Sequence, residues 1–379
     1  MKNKFLYIQD RAFSKTESVD EALLSSCNNA IGGYGAFAFA SKDGVDLILR
    51  DNLFLSMIKK GQYHLVIGID EITNERAVNA LNEIAKLHKN LSIKIYFSND
   101  SGSIFHPKFS LFKAKSGEGF LVVGSGNLTL RGLRKNKEAF AKIKLTSKEY
   151  TDTEAYLTAW LRESEANLRD LDDPEVLEKA KSNVFISKKK KKKTPTVDKD
   201  SGKRGADHKH KIDGYDEEVW EYSSENEILF AEIPGSGNRW KQANFDKENF
   251  TNFFGAIPGN NFHRILLRHV DEFALSDIEN RQSVSVKSQN YRFELDAASG
   301  LDYPTNGRPI GVFIKVETRI FMYHLFMPGD PMYLEILNWM KANWSGKPAN
   351  RKIMKRIKTK VLDVESMLDK TYFYRYKKI

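Results

Sequence analysis

Cysteine is almost missing from this chain of 379 residues: Cys27 is the one thiol, so no internal disulfide can form and no cysteine-rich zinc site can be built. Cys27 itself reads as a small buried residue. No apolar run reaches the length needed to cross a bilayer. The opening Met1-Lys2-Asn3-Lys4-Phe5 lacks the apolar stretch of a secretory signal, so the cytoplasm is the expected compartment and a membrane role is not expected. Histidine is scarce too. Of the eight histidines only His106 opens a His-x-Lys triplet, and His208-Lys209-His210 has no further ligands beside it and is rejected as a metal site. No carboxylate cluster of the kind that holds two divalent ions stands near His106, and no cofactor is implied. Positive charge, by contrast, is abundant. Sixty lysines and arginines against fifty acidic residues give a net charge of +10, which calls for an anionic partner, nucleic acid or an anionic membrane.

The chemistry concentrates in His106-Pro107-Lys108, followed eighteen residues after the histidine by Gly124-Ser125-Gly126-Asn127. A phosphodiester is anionic and repels nucleophiles, so splitting it without a metal needs cationic and amide donors around its oxygens. Residues i and i+2 of a strand lie about 7 Å apart on one face. His106 and Lys108, opening the apolar run Phe109-Ser110-Leu111-Phe112, can therefore share one phosphate. A second run, Phe120-Leu121-Val122-Val123, ends at the Gly-Ser-Gly-Asn turn and can bring Ser125 and Asn127 to the same sheet end. Each motif alone is weak, a surface strand or an ordinary turn, and it is their combination and order that argue for catalysis.

That combination resembles the phospholipase D superfamily, whose pattern is His-x-Lys, four residues, Asp, then Gly-Ser-x-Asn. Lys113 stands where the aspartate belongs, and the gap to Gly124 is longer than in the lipase branch, as in the nuclease branch. In that branch a later glutamate does the orienting, and the resemblance gives this role to Glu138 of Asn136-Lys137-Glu138. The competing reading makes Asn136 and Glu138 plain surface residues at the start of the run Ala139–Leu145. The superfamily uses two His-x-Lys motifs per site and this chain has one, so the resemblance implies a homodimer with the site on its two-fold axis. One His106 then attacks phosphorus to give a phosphohistidine while its symmetry mate protonates the leaving oxygen, a pair of tasks suited to a group that titrates near neutrality. Lys108 and Asn127 of both chains neutralise the non-bridging oxygens.

Length and patterning divide the chain in two. Residues 1–186 alternate short apolar runs with helical stretches, an α/β layered pattern. Strands are expected at Gly35–Phe39, Val45–Leu49, Leu65–Ile69 and Ser92–Phe97, and a helix over Asn74–His88. A capping box at Thr151–Glu154 opens another helix, which is expected to bury Tyr156, Leu157, Trp160 and Leu161. Residues 187–214, with six consecutive lysines at Lys188–Lys193, read as a flexible Lys-rich linker that either holds DNA phosphates or is simply solvated. From residue 215 to 379 the pattern is mainly β. Its runs are Ile228–Ile233, Arg264–Arg268, Gln282–Val286, Tyr291–Leu295, Ile310–Ile314 and Thr318–Phe326, with a helix over Asp330–Asn343 and a basic helical tail at Arg351–Lys358.

The stretch Pro234–Phe245 with Phe250–Gly255 resembles the DNA-binding pseudobarrel of plant transcription factors and of NgoFVII-type restriction endonucleases, in which a phospholipase D-like nuclease domain precedes the barrel. The resemblance implies two arms in the major groove, placed by position at Ser236–Gln242 and Ser288–Arg308. Candidate DNA contacts on them are Arg239, Lys241, Gln242, Asn290, Arg292, Glu294 and Arg308, since Arg reads guanine, Asn and Gln read adenine, and Glu accepts from cytosine. Each can instead meet phosphate or form a surface ion pair. Trp240, Phe245, Phe253 and Phe254 read as core. The whole reading is a metal-independent, site-specific endonuclease of restriction type acting on double-stranded DNA; whether a cognate methyltransferase accompanies it is not written in the sequence. The alternatives are a phospholipase or phosphodiesterase acting on lipid or small diesters, and a DNA-binding protein with a relic nuclease domain.

Overall fold

A computed structural model describes residues 6–10, 13, 16–98, 103–191, 220–235, 240–257, 259–260, 262–282, 284–285, 291–346 and 354–378, with the side chains of 184–191 and 284–285 excepted. The chain divides into two compact units, Met1–Glu218 and Val219–Ile379.

The first unit contains, in chain order, β1 (Leu6–Gln9), α1 (Val19–Cys27), β2 (Ala30–Phe37), α2 (Lys42–Leu49), α3 (Asn52–Ile58), β3 (Tyr63–Gly68), α4 (Glu75–Leu87), β4 (Leu91–Tyr96), β5 (Lys108–Ala114), β6 (Gly119–Gly124), β7 (Glu138–Leu145), α5 (Ser147–Glu163), β8 (Leu168–Arg169) and α6 (Pro174–Lys191). Its strands form one eight-stranded sheet in the order β1-β7-β6-β5-β2-β3-β4-β8. β2, β3 and β4 run parallel, and β5, β6 and β7 alternate beside them. Strand alternation sorts the side chains to two faces. Ser110 and Phe112 of β5 point to the face where Leu23 of α1, Ile48 of α2 and Phe54 of α3 pack. Leu111 points the other way, into a core closed by Tyr150 and Leu157 of α5.

Most expected elements stand within a few residues of their expected places. The exception is Val45–Leu49, expected as a strand and found inside α2. The Ser41 side chain accepts from Gly44 N at 3.2 Å and caps this helix, and Val45, Ile48 and Leu49 bury one face of it. An apolar run this short fits either period, and the cap decides. The capping box of α5 lies a turn earlier than expected, where Thr146 and Glu149 bond each other's backbone. Tyr156 is consequently 75% exposed, not buried with Leu157. α6 continues past Ser187 to Lys191, so four of the six lysines stand in a helix where flexible chain was expected.

The second unit is mainly β, as expected, with β9 (Glu227–Glu232), β10 (Gln242–Phe245), β11 (Arg264–His269), β12 (Glu279–Gln282), β13 (Val284–Ser285), β14 (Tyr291–Glu294), β15 (Ile310–Glu317), β16 (Ile320–Phe326), α7 (Tyr333–Asn343), β17 (Arg356–Lys360) and α8 (Glu365–Leu368). A six-stranded sheet runs β12-β11-β16-β15-β9-β17 and a three-stranded sheet runs β10-β14-β13. Between them packs an aromatic core of Trp240, Phe245, Phe250, Phe253, Phe254, Phe293, Phe313 and Phe321. The basic tail is corrected. Arg356–Lys360 is a strand on β9 rather than part of a helix, and Arg351–Ile353 lie outside the described residues.

Candidate active site

The strand directions bring one edge of the first unit's sheet together from distant parts of the sequence. β2 and β6 end there, and β5 and β7 begin there, so Phe37 pairs with Lys108, Phe109 with Val123, and Gly124 with Phe140. His106 is exposed two residues before β5, its ring edge-on to Phe39 at 6.0 Å. Lys108 is half-buried, and its ammonium donates to the backbone carbonyl of His106 at 3.0 Å. Burial lowers the Lys108 pKa below the ordinary lysine value, while the nearby Glu138 charge pulls it back up.

Ser125 and Glu138 are directly bonded. The Ser125 hydroxyl donates to one Glu138 carboxylate oxygen, Asn136 Nδ2 donates to the other at 3.1 Å, and Ala139 N donates to Ser125 Oγ at 3.1 Å. Asn127 is half-buried and its side-chain oxygen has no hydrogen-bond partner. The structure thus brings Lys108, Ser125 and Glu138 to one edge with His106, where the half-buried Glu138 carboxylate accepts from two neighbours. Lys113, at the position of the missing aspartate, points to the α5 side and pairs with Glu154 at 3.2 Å.

Three supports of this edge carried no usable signal in the sequence. Gln9 is 3% exposed, accepts from Val19 N at 3.0 Å, and donates to the carbonyls of Gly132 at 3.2 Å and Asn136 at 2.8 Å. Arg134 forms a buried bidentate ion pair with Asp20 of α1. Gly132 lies so close under the Asn127 backbone that a Cβ would stand 2.5 Å from Asn127 N. The turn itself hangs on the end of β2, where Leu128 N donates to Phe39 O at 3.1 Å and Ser41 N donates to Leu128 O at 3.0 Å.

Residues 40–160 match the family model described as "Cardiolipin synthase, PLD-like domain". The first unit carries a phospholipase D-like domain. The match covers both halves of the His106 and Gly124–Asn127 motif pair. No curated protein shows significant similarity to the chain. Among solved structures, the phospholipase D-like domain aligns with NucT from Helicobacter pylori at 14% identity and a TM-score of 0.30, covering 41% of this chain and 94% of that one. It aligns with Nuc from Salmonella typhimurium, a phospholipase D family member, at 21% identity and a TM-score of 0.32, covering 44% and 96%. The N-terminal domain of Helicobacter pylori LlaJI.R1 aligns at 10% identity and a TM-score of 0.26, covering 35% and 97%. At these scores the likenesses carry no argument of their own.

In the second unit the expected DNA contacts divide. Arg239 and Asn290 lie outside the described residues. Gln242 and Glu294 face each other across β10 and β14, and Gln242 Nε2 donates to Glu294 Oε1 at 3.2 Å. Arg308 is held by the buried Glu232 at 2.8 Å, which Lys355 also approaches at 3.4 Å. Lys241 and Arg292 have no carboxylate partner among the described residues, and Arg292 stands on β14 opposite Asn244 and Val284.

Proposed function

We propose that the first unit hydrolyses phosphodiesters of double-stranded DNA without a metal ion, as a site-specific endonuclease of restriction type, and that the second unit, a pseudobarrel on this reading, selects the sequence. The observation that carries the reading is the gathering of His106, Lys108 and the Ser125–Glu138 pair at one sheet edge. One imidazole nitrogen of His106 attacks phosphorus and the bond to the leaving oxygen breaks. That oxygen takes a proton from the partner's His106. The phosphohistidine is then hydrolysed by water, whose proton returns to the same partner imidazole as the P–N bond breaks. Lys108 and the Asn127 amide stand for the donors that a trigonal-bipyramidal phosphorane demands at its equatorial oxygens. Glu138, by fixing Ser125 and Asn136, is a positioning residue.

A second reading, chemistry on a lipid diester, is favoured by one observation, the cardiolipin synthase in the description of the matching family model. One assay separates the two. The full chain is given plasmid DNA and, in parallel, phosphatidylcholine or phosphatidylglycerol vesicles, all in excess EDTA, as wild type and as His106→Ala. The nuclease reading expects plasmid cleavage in chelator, lost by several orders of magnitude in His106→Ala, with DNA binding kept. Strict dependence on magnesium, or cleavage by the variant, overturns it. Turnover of the vesicles with intact plasmid supports the lipid reading instead.

A further inference from the structure

The edge that carries His106 borders a cavity of about 690 Å³ on the α5 side of the first unit's sheet. Its wall runs from Asp70, just past β3, and Tyr96, at the end of β4, to Trp160 of α5, and His106 itself forms part of it. Tyr156 and Trp160 are one turn apart and share a face of α5. Leu157 between them packs into the core with Phe109 of β5. Three rings of the wall lie nearly parallel. Tyr96 stacks on Phe105 with centroids 4.4 Å and planes 15° apart, and Phe105 on Trp160 at 6.2 Å and 11°. Gly68 at the end of β3 leaves room for this stack, since a Cβ there would stand 3.0 Å from the Phe105 ring. The aromatic core of the second unit is sealed, with Phe250, Phe253 and Phe254 at most 1% exposed. The rings of this stack are only half-buried, and Tyr156 beside them is 75% exposed, so they face a space that a further flat group can enter.

We infer that this cavity is a subsite for an unpaired nucleobase, that of the nucleotide next to the phosphate held at His106 and Lys108. The inference rests on the nuclease reading of the site. A base has flat faces and a polar edge, and aromatic side chains hold such faces whatever the base. The parallel rings supply the flat surface and Asn167 supplies a partner for the edge. Its Nδ2 donates to the Tyr96 hydroxyl at 3.3 Å, and its side-chain oxygen has no partner among the described residues, leaving it to accept from a base N–H. The described lining holds no lysine or arginine, and its carboxylate, Asp70, stands 4.0 Å from Lys179. The cavity is therefore not a place for phosphate, which belongs at Lys108 outside it. An acyl chain has neither a flat face nor a hydrogen-bonding edge and would leave both features unused. The volume falls within the range of roughly 300–1,000 Å³ common to small-ligand sites. A base paired inside a duplex shows the protein neither face, so a duplex must release that base to fill the cavity, and a strand already unpaired there is spared the cost.

The test uses the full chain in excess EDTA and two probes of equal length and charge, a short fluorescein-labelled oligothymidylate and its abasic counterpart. Binding is read by fluorescence anisotropy with His106→Ala in every protein, so that neither strand is cut, and plasmid cleavage is read without that substitution. The oligothymidylate is expected to bind roughly ten- to hundredfold more tightly than the abasic strand, the range of base–aromatic stacking. Trp160→Leu, which keeps an apolar side chain but removes the ring, is expected to erase most of that difference while leaving the affinity of the abasic strand unchanged. Tyr156→Ala, at an exposed position, is expected to act in the same direction and decides the matter if Trp160→Leu fails to fold. Equal binding of the two strands, or variants that weaken both alike, overturns the subsite, and plasmid cleavage retained in that case leaves the nuclease reading standing. Preference for the oligothymidylate through Trp160 in a chain that cuts no plasmid supports the subsite and overturns the nuclease reading instead. Phosphatidylglycerol vesicles are given in parallel. Vesicle binding that falls in both variants, without preference for the oligothymidylate, assigns the cavity to an acyl chain and overturns the proposal.

Discussion

Glu138 holds Ser125 with one carboxylate oxygen and Asn136 with the other, and its charge is the factor that raises the Lys108 pKa against the lowering effect of burial. Removing that charge while keeping the shape therefore has two consequences. Glu138→Gln loses the orientation of Ser125, for which a loss of about 10²-fold in cleavage rate is expected from comparable positioning groups. It also leaves Lys108 with desolvation unopposed, so the ammonium loses its proton at lower pH and the alkaline limb of the rate profile moves down. A pH–rate profile of wild type and variant checks this. A rate loss without a shifted alkaline limb would mean that Glu138 acts on the loop alone. His106, Lys108, Ser125 and Asn127 were legible as candidates because their types and spacing fit the proposed chemistry. Glu138 was ambiguous, since its proposed role depends on contacts with Ser125 and Asn136, and Gln9 and the Asp20–Arg134 pair were invisible because their partners lie more than a hundred residues away.

Elements whose apolar residues alternate cleanly were readable in both units, and elements decided by a cap or by a distant partner were not. α2 turned on the Ser41 cap. β17 turned on cross-strand pairing with β9, its basic residues being met by carboxylates elsewhere: Arg356 by Asp246 at 3.0 Å, Lys358 by Glu227 at 3.5 Å and Lys360 by Glu225 at 2.8 Å. The parallel pair β11 and β16 has a consequence for stability. His269 on β11 stacks on His324 of β16 with ring centroids 5.1 Å apart, and burial, reinforced by the His324 charge, pushes the His269 pKa down to about 4. The unfolded chain protonates this histidine near its ordinary value of about 6.5, whereas the folded unit does not. Stability is therefore fully present above about pH 6.5, is lost as the pH falls toward about 4, and levels off below that. Between pH 6.5 and 5 the expected loss from His269 is roughly 2 kcal/mol. His269→Phe should flatten this dependence, as thermal melts at about pH 7.5 and about pH 5 will show. An unchanged slope would place the acid sensitivity elsewhere.

At the scale of the whole molecule, the proposal assigns chemistry to one unit and sequence selection to the other. Among the candidate base readers, Arg308, Gln242 and Glu294 are engaged with protein partners, which leaves Arg292 and Lys241 as the described candidates with no carboxylate to give up. Arg292→Ala is expected to cost roughly 1–3 kcal/mol on the cognate site and to relax preference at one base position. Neutralising Lys188–Lys193 is expected to weaken binding to all sequences and to flatten its salt dependence, because phosphate contacts release counterions without reading bases. Competition binding at two salt concentrations distinguishes the two effects. Equal loss of cognate and random DNA in Arg292→Ala would remove Arg292 from the readers.

The amino-acid sequence by itself determined the two-part organisation, most of the strands and the candidate motifs at His106 and Gly124–Asn127, because each is written in neighbouring residues: alternation, turn chemistry, a cap or a charged triplet. Only the tertiary structure decided that the ends of β2 and β6 meet the starts of β5 and β7, and that Glu138 closes on Ser125. Register and coverage depend on which strands pair and where a helix stops, and these are properties of contacts between distant segments rather than of any local pattern.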